Sequence, residues 1–199
     1  MVLTLSTVAA DPKLVTYSLT LTNGNKAILR PLEADDVNKL DDFLSGLSEE
    51  TKRLITAPDA DLPTATELCD AINKYDKLRF VLEATPENRI IGLLEFSFGI
   101  PDGDIRRFKT ASYMLDENTD CRFGPTLADN YQNKGLGTSL FSYITEIARQ
   151  FGKKRIILWG GVLKDNARAV HYYKKHGFKI VGTFSDKGDE MLDMILNLD

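Results

Sequence analysis

The chain has 199 residues, 43% hydrophobic and 27% charged, which are ordinary globular values and exclude a wholly disordered protein. That length favours a single domain, large enough to bury roughly 70% of its unfolded surface in its own core. With 25 basic against 29 acidic residues the net charge is −4, which argues against a dedicated duplex-DNA binder.

Cys69 and Cys121 lie far apart, and His171 and His176 are the only histidines. This gives no metal-ligand spacing, so no metal is expected, and the thiols read as buried and reduced. The first residues carry no basic stretch ahead of an apolar run, so they make a poor signal peptide. No apolar run approaches the ~20 residues of a membrane span. A cytoplasmic protein with no membrane or nucleic-acid partner is the expectation.

In chain order, residues 1–14 are expected to form a flexible arm ahead of one domain over 15–199. An alternating strand from Tyr17 turns at Asn23-Gly24-Asn25 into a second from Lys26 to Pro31. Asn-Gly accepts the positive φ that tight hairpin turns demand. Val37, Leu40, Leu44 and Leu47 recur at helical spacing behind Asp35 and Asp36, and Ser48 caps a second short helix to Leu54. Residues 57–63 read as a loop. Thr64 and Glu67 form a capping box opening a helix to about Tyr75, with Leu68, Ile72 and Tyr75 inward.

Strands over 78–84 and 90–98 follow. Residues 100–120 read as polar and irregular, either a solvated excursion or a lid. A strand over 121–127 contains Pro125, which suggests a bulge or an unpaired edge. Leu140, Ile144, Ile147 and Phe151 mark a helix ending at Gly152. A strand over 155–162, a helix over 165–176 and strands over 178–184 and 191–198 complete a mixed α/β sheet.

The chemistry concentrates between the proline-containing strand and the long helix. Gly135 and Gly137 let backbone approach a ligand without Cβ obstruction. The helix that follows offers unpaired N–H groups and a positive dipole end, an anion site suited to a pyrophosphate, with Lys134 as an added charge. A dinucleotide fingerprint fails because position 140 is Leu, and no P-loop spacing is present.

Gln132-Asn133-Lys134-Gly135-Leu136-Gly137 resembles the pyrophosphate motif, Gln/Arg-x-x-Gly-x-Gly/Ala, of the GNAT superfamily of acyl-CoA-dependent N-acyltransferases. Asn166, Ala169, Tyr173, Gly177 and Phe178 resemble the same superfamily's later helix and strand. The resemblance spans about residues 26–198 and is strongest from 125 to 178. It implies a central, mostly antiparallel mixed sheet flanked by helices. It also implies acetyl-CoA as acyl donor, a primary amine as acceptor, and no metal.

Carried onto this chain, the resemblance implies that the backbone of Pro125, Thr126 and Leu127 pairs with the pantetheine arm. Main-chain N–H groups of Asn133, Lys134, Gly135, Leu136, Gly137 and Thr138, behind Gln132, would hold the pyrophosphate. Asn166 would bond the pantetheine, and Tyr173 would act as acid toward the departing thiolate. Tyr172 reads as a core aromatic. Some relatives place a glutamate where Arg122 stands and others where Gly161 stands. Glu95 is therefore the first substitute base or an outward-facing strand residue, Asp120 is the second, and a water-relayed proton is the alternative. Asp193 reads as an exposed strand residue or an anchor for a cationic substrate. Leu29-Arg30-Pro31 and the helices after it resemble the front of bacterial protein-lysine acetyltransferase domains. A homodimer through a strand edge fits the resemblance. The rival expectation is a non-catalytic acyl-CoA-binding sensor or partner module.

Overall fold

The structure, a computed structural model, describes residues 2–55, 64–70 and 74–198, so the expected loop at 57–63 and Ile72 lie outside it. Helix α1 (Leu5–Ala10) and a 3-10 turn over Pro12–Val15 open the chain. These elements fall largely in the stretch expected to form a flexible arm. Val8 and Val15 are buried, and the Leu3 N–H donates to the Gln150 carbonyl at 2.7 Å. Val8 docks the helix and Val15 docks the 3-10 turn that follows it.

Strands β1 (Tyr17–Thr20) and β2 (Lys26–Pro31) form the expected hairpin, with Gly24 at φ +86°. Helices α2 (Val37–Ser45), α3 (Glu49–Leu54) and α4 (Ala65–Asp70) follow. The Ser48 hydroxyl accepts from the Thr51 N–H at 3.1 Å, and Thr64 and Glu67 bond reciprocally as a capping box. Tyr75, expected inward, is 56% exposed in the turn before the next strand.

Strands β3 (Lys77–Ala84) and β4 (Arg89–Ser97) precede helix α5 (Asp102–Thr110), which replaces the irregular excursion expected there. Strand β5 (Asp120–Leu127) and helix α6 (Leu136–Gln150) come next. The strand expected over 155–162 is two pieces, β6 (Arg155–Leu158) and β7 (Val162–Leu163). Between them Gly160 and Gly161 take φ +71° and +73°. A Cβ on Gly161 would lie 2.8 Å from the Leu192 carbonyl, so only glycine fits that turn. Helix α7 (Ala167–Lys175), β8 (Lys179–Asp186) and β9 (Asp189–Asn197) finish the chain.

The described strands form one sheet in the order β1-β2-β3-β4-β5-β6-β9-β7, with β8 on the other side of β9. Only β5 and β6 run parallel. On one face, Leu140, Ile144, Ile147 and Ala148 of α6 pack with Phe80, Phe96, Phe123 and Ile156 of the sheet. On the other, Leu40, Phe43 and Leu68 cover Val81 and Leu93. Helix α5 seats Phe108, with Ile100, over Ile157 and Ile195. Cys69 and Cys121 are free and buried, and burial pushes the Cys121 thiol up to about 12. No helix among the described residues is long and apolar enough to cross a membrane.

Candidate functional site

Strands β5 and β6 pair only from Asp120↔Arg155 to Phe123↔Leu158. The Trp159 N–H donates to the Phe123 carbonyl at 2.9 Å, and the glycine turn then carries the chain away. From Gly124 onward β5 is therefore paired on its β4 side alone. The Ala128 N–H bonds the Ile91 carbonyl at 2.9 Å, and the register runs Leu127↔Gly92 to Arg122↔Ser97. Backbone groups alternate sides along a strand, so Thr126 and Gly124 face β4. The Pro125 carbonyl and the Leu127 N–H face the gap. Proline is tolerated at 125 because its missing N–H lies on the unpaired side.

Past β5 the chain makes a 3-10 turn (Asp129–Tyr131), and Asn133 and Gly135 take φ +58° and +77°. The Gln132 side chain donates to the Leu127 carbonyl at 2.8 Å and to the Thr51 hydroxyl at 3.2 Å, tying loop to strand end. Asp129 accepts from the Ser48 hydroxyl (2.6 Å), the Ser48 N–H (2.9 Å) and the Thr51 hydroxyl (2.7 Å). These bonds lower its carboxyl to about 2. Gly135 caps α6 with no side-chain bond, so the first N–H groups of a 15-residue helix are left for a ligand.

The open edge and the helix start share one groove of about 1160 Å³. Of the expected residues, Pro125, Thr126, Leu127, Gln132, Asn133, Gly135, Leu136, Gly137, Thr138, Asn166, Tyr173 and Glu95 line it. Lys134 does not; it borders a smaller cleft of about 170 Å³ with Arg89 and Tyr131. The Asn166 side-chain Oδ1 caps α7 by accepting from the Ala169 N–H (3.1 Å). Tyr173 is 7% exposed, and burial, with Tyr172 beside it, pushes its phenol above the usual value. The Tyr172 hydroxyl donates to the Gly137 carbonyl at 2.9 Å, so this tyrosine locks the glycine loop and is more than a core aromatic.

Glu95 lines the groove from β4, one oxygen taking a 2.8 Å bond from Arg79 Nε, so it is not a plain outward-facing residue. Asp120 is fully buried and forked by Arg155 at 2.6 Å, which removes it as a base. Asp193 is neither exposed nor open to substrate. It is 2% exposed and held by Arg107 at 3.0 Å, and burial raises its carboxyl against the pull of that arginine. Arg122 donates to the Ser97 hydroxyl (2.7 Å) and lies 4.7 Å from the Trp159 ring centre.

Lys77, Arg79 and Trp159 are among the groove residues that the sequence reading does not single out. The available signal for Lys77 and Arg79 is charge at period two at the start of an otherwise apolar strand, which marks that end of one β3 face as non-core.

The sequence model of the acetyltransferase (GNAT) family matches residues 44–178. Streptothricin acetyltransferase of Streptomyces lavendulae is 31% identical over 81 residues, which is 41% of this chain and 42% of that protein. The GNAT domain of S. lividans PAT superposes with a TM-score of 0.72 at 18% identity, covering 94% of this chain and 98% of that one. AAC(6')-Ib, solved with paromomycin and acetyl-CoA, gives 0.64 at 18% identity over 86% and 93%. With the matched segment covering more than half of its length, the chain belongs to the acetyltransferase (GNAT) family.

Proposed function

We propose that this protein transfers the acetyl group of acetyl-CoA to a primary amine, of a small molecule or of a protein lysine or N-terminus, in the cytoplasm. The observation that carries this reading is the single groove that joins an unpaired strand edge, an uncapped helix N-terminus, Tyr173 and Glu95. Those features fit the parts of the cosubstrate. The Pro125 carbonyl and Leu127 N–H bond the amides of the pantetheine arm, and N–H groups from Asn133 to Thr138 take the pyrophosphate. Asn166 contributes its amide N–H₂, because its oxygen already caps α7.

In the reaction the amine lone pair attacks the thioester carbonyl carbon. The C–N bond forms, the C–S bond breaks, and the amine loses a proton while the thiolate gains one. Holding both reactants in one groove supplies much of the rate. A phenol raised by burial keeps its proton at neutral pH, so Tyr173 donates to the leaving sulfur. The same dry surroundings raise the basicity of a thiolate there, which keeps the transfer feasible. An alkylammonium has an ordinary pKa of about 10.4, so the amine must shed a proton first. Glu95, whose Arg79 bond occupies one carboxyl oxygen, is the acceptor for that proton.

The resemblance also allows a non-catalytic acyl-CoA-binding module, because the positions where it implies a glutamate in some relatives are Arg122 and Gly161 here. The test is thiol release from acetyl-CoA with a broad panel of amines and peptides. Amine-dependent release supports the enzyme, and no release beyond the amine-free control, with acetyl-CoA still bound, supports the binder.

A further inference from the structure

Arg79, Glu95 and Gly124 stand side by side across β3, β4 and β5, and Lys77, Ser97 and Arg122 form the neighbouring row on the same face. Lys77 and Arg79 both line the groove, two strands away from the open edge of β5. The Arg79 side chain is only 9% exposed, and its one side-chain bond is from Nε to Glu95, so both terminal nitrogens lack a partner among the described residues. The Lys77 ammonium lies 4.9 Å from the Tyr75 ring centre and 5.3 Å from that of Trp159, with no carboxylate within ion-pair distance among the described residues. A largely buried guanidinium with two nitrogens unpartnered among the described residues and an ammonium set on aromatic faces form a recess for an anion.

Resting on the proposed acetyl transfer, we infer that the acceptor is a compact amine bearing a carboxylate or similar anion, an amino-acid-like zwitterion. The Arg79 terminal nitrogens and the Lys77 ammonium take the anion. The second Glu95 oxygen is left to face the amine, which attacks the thioester and passes its proton to that carboxylate. Anion and amine are recognised on neighbouring side chains of one sheet face, so the two groups must lie within a few bonds of each other.

The test compares kcat/KM, by thiol release, for matched trios: an amino acid, its primary amide, and the amine lacking the carboxyl group. The wild type is expected to prefer the acid by about tenfold or more, since a site with unpaired cations rejects the analogue that leaves them unpaired. The amide has the less basic amine, so protonation cannot create this preference. In Lys77→Met the ratio is expected to fall toward one while acetyl-CoA still raises the melting temperature. Arg79→Lys, which keeps the charge but not the fork, is expected to fall between.

Equal or better rates with amides and decarboxylated amines would overturn the inference and leave acetyl transfer standing. A full preference persisting in both variants would also overturn it, by placing anion recognition elsewhere. Indifference between acid and amide, with succinyl-CoA strongly preferred to acetyl-CoA, would move the anion to the acyl group and overturn the acceptor assignment. Silence with every amine would remove the acetyl-transfer reading, and this inference with it.

Discussion

The ring of Tyr172 lies 3.0 Å from where a Cβ on Gly137 would sit, and its hydroxyl bonds the Gly137 carbonyl. The second glycine of the loop is thus fixed by a tyrosine three elements later in the chain. Gly137→Val is expected to displace that ring and weaken acetyl-CoA binding. Tyr172→Phe, which removes one hydrogen bond, is expected to cost about 0.5–1.5 kcal/mol. At roughly 2–4 °C per kcal/mol for a domain of this size, thermal unfolding would read a drop of a few degrees. An unchanged melting temperature in Tyr172→Phe would mean that the bond contributes nothing.

Tyr173→Phe separates catalysis from binding. If the buried phenol serves the leaving sulfur, kcat is expected to fall by about 10²–10⁴ with acetyl-CoA affinity retained. Full activity in this variant would remove Tyr173 from the mechanism.

Glu95→Gln tests the proton acceptor. At neutral pH kcat is expected to fall by about 10²-fold or more, with partial recovery at higher pH as the free amine fraction grows. A rate and pH profile identical to the wild type would assign the proton to water.

Arg107 compensates the buried Asp193 carboxylate, whose side chain is 3% exposed, and also bonds Asp104. Arg107→Met leaves Asp193 without its cation, a loss expected to cost about 3 kcal/mol or more. That corresponds to a fall of roughly 6–12 °C in melting temperature. Asp193→Asn in the same background is expected to recover part of the loss, and no recovery would mean that the charge was not its source.

Asp129 makes a pH prediction. Its folded carboxyl titrates near 2 against an ordinary 3.8, so its contribution is fully present above about pH 4 and lost as pH falls toward 2. Acid unfolding of Asp129→Asn is expected to lack that part of the slope, while the wild type keeps it. Identical acid limbs would show that the Ser48 and Thr51 bonds do not hold the loop.

What could be read from residues alone tracks local chemistry. The Asn23-Gly24 hairpin, the Ser48 cap and α6 each carry a turn, cap or periodic signature in their own sequence, and each is found in place. Helix α5 was missed because it buries little apolar surface. Phe108 anchors it, and Asp104 and Arg107 meet buried charge from Arg122 and Asp193, residues distant in sequence. The break between β6 and β7 was hidden because Gly160 and Gly161 sit in an apolar run that reads as one strand. That break is what opens β5, so the least legible local feature shapes the groove. The glycine loop and Tyr173 were legible from motif, whereas Arg79 and Lys77 became visible only when pairing put them beside Glu95.

The central claim, that this groove takes acetyl-CoA, is tested most directly by thermal unfolding with acetyl-CoA, CoA, NAD and ATP in separate samples. At ~100 times its dissociation constant a bound ligand adds about 2.7 kcal/mol, worth roughly 5–10 °C here. The account predicts that shift with acetyl-CoA and CoA and none with NAD or ATP. Silence from both CoA compounds at millimolar concentration, in protein shown by mass spectrometry to carry no ligand, would contradict it.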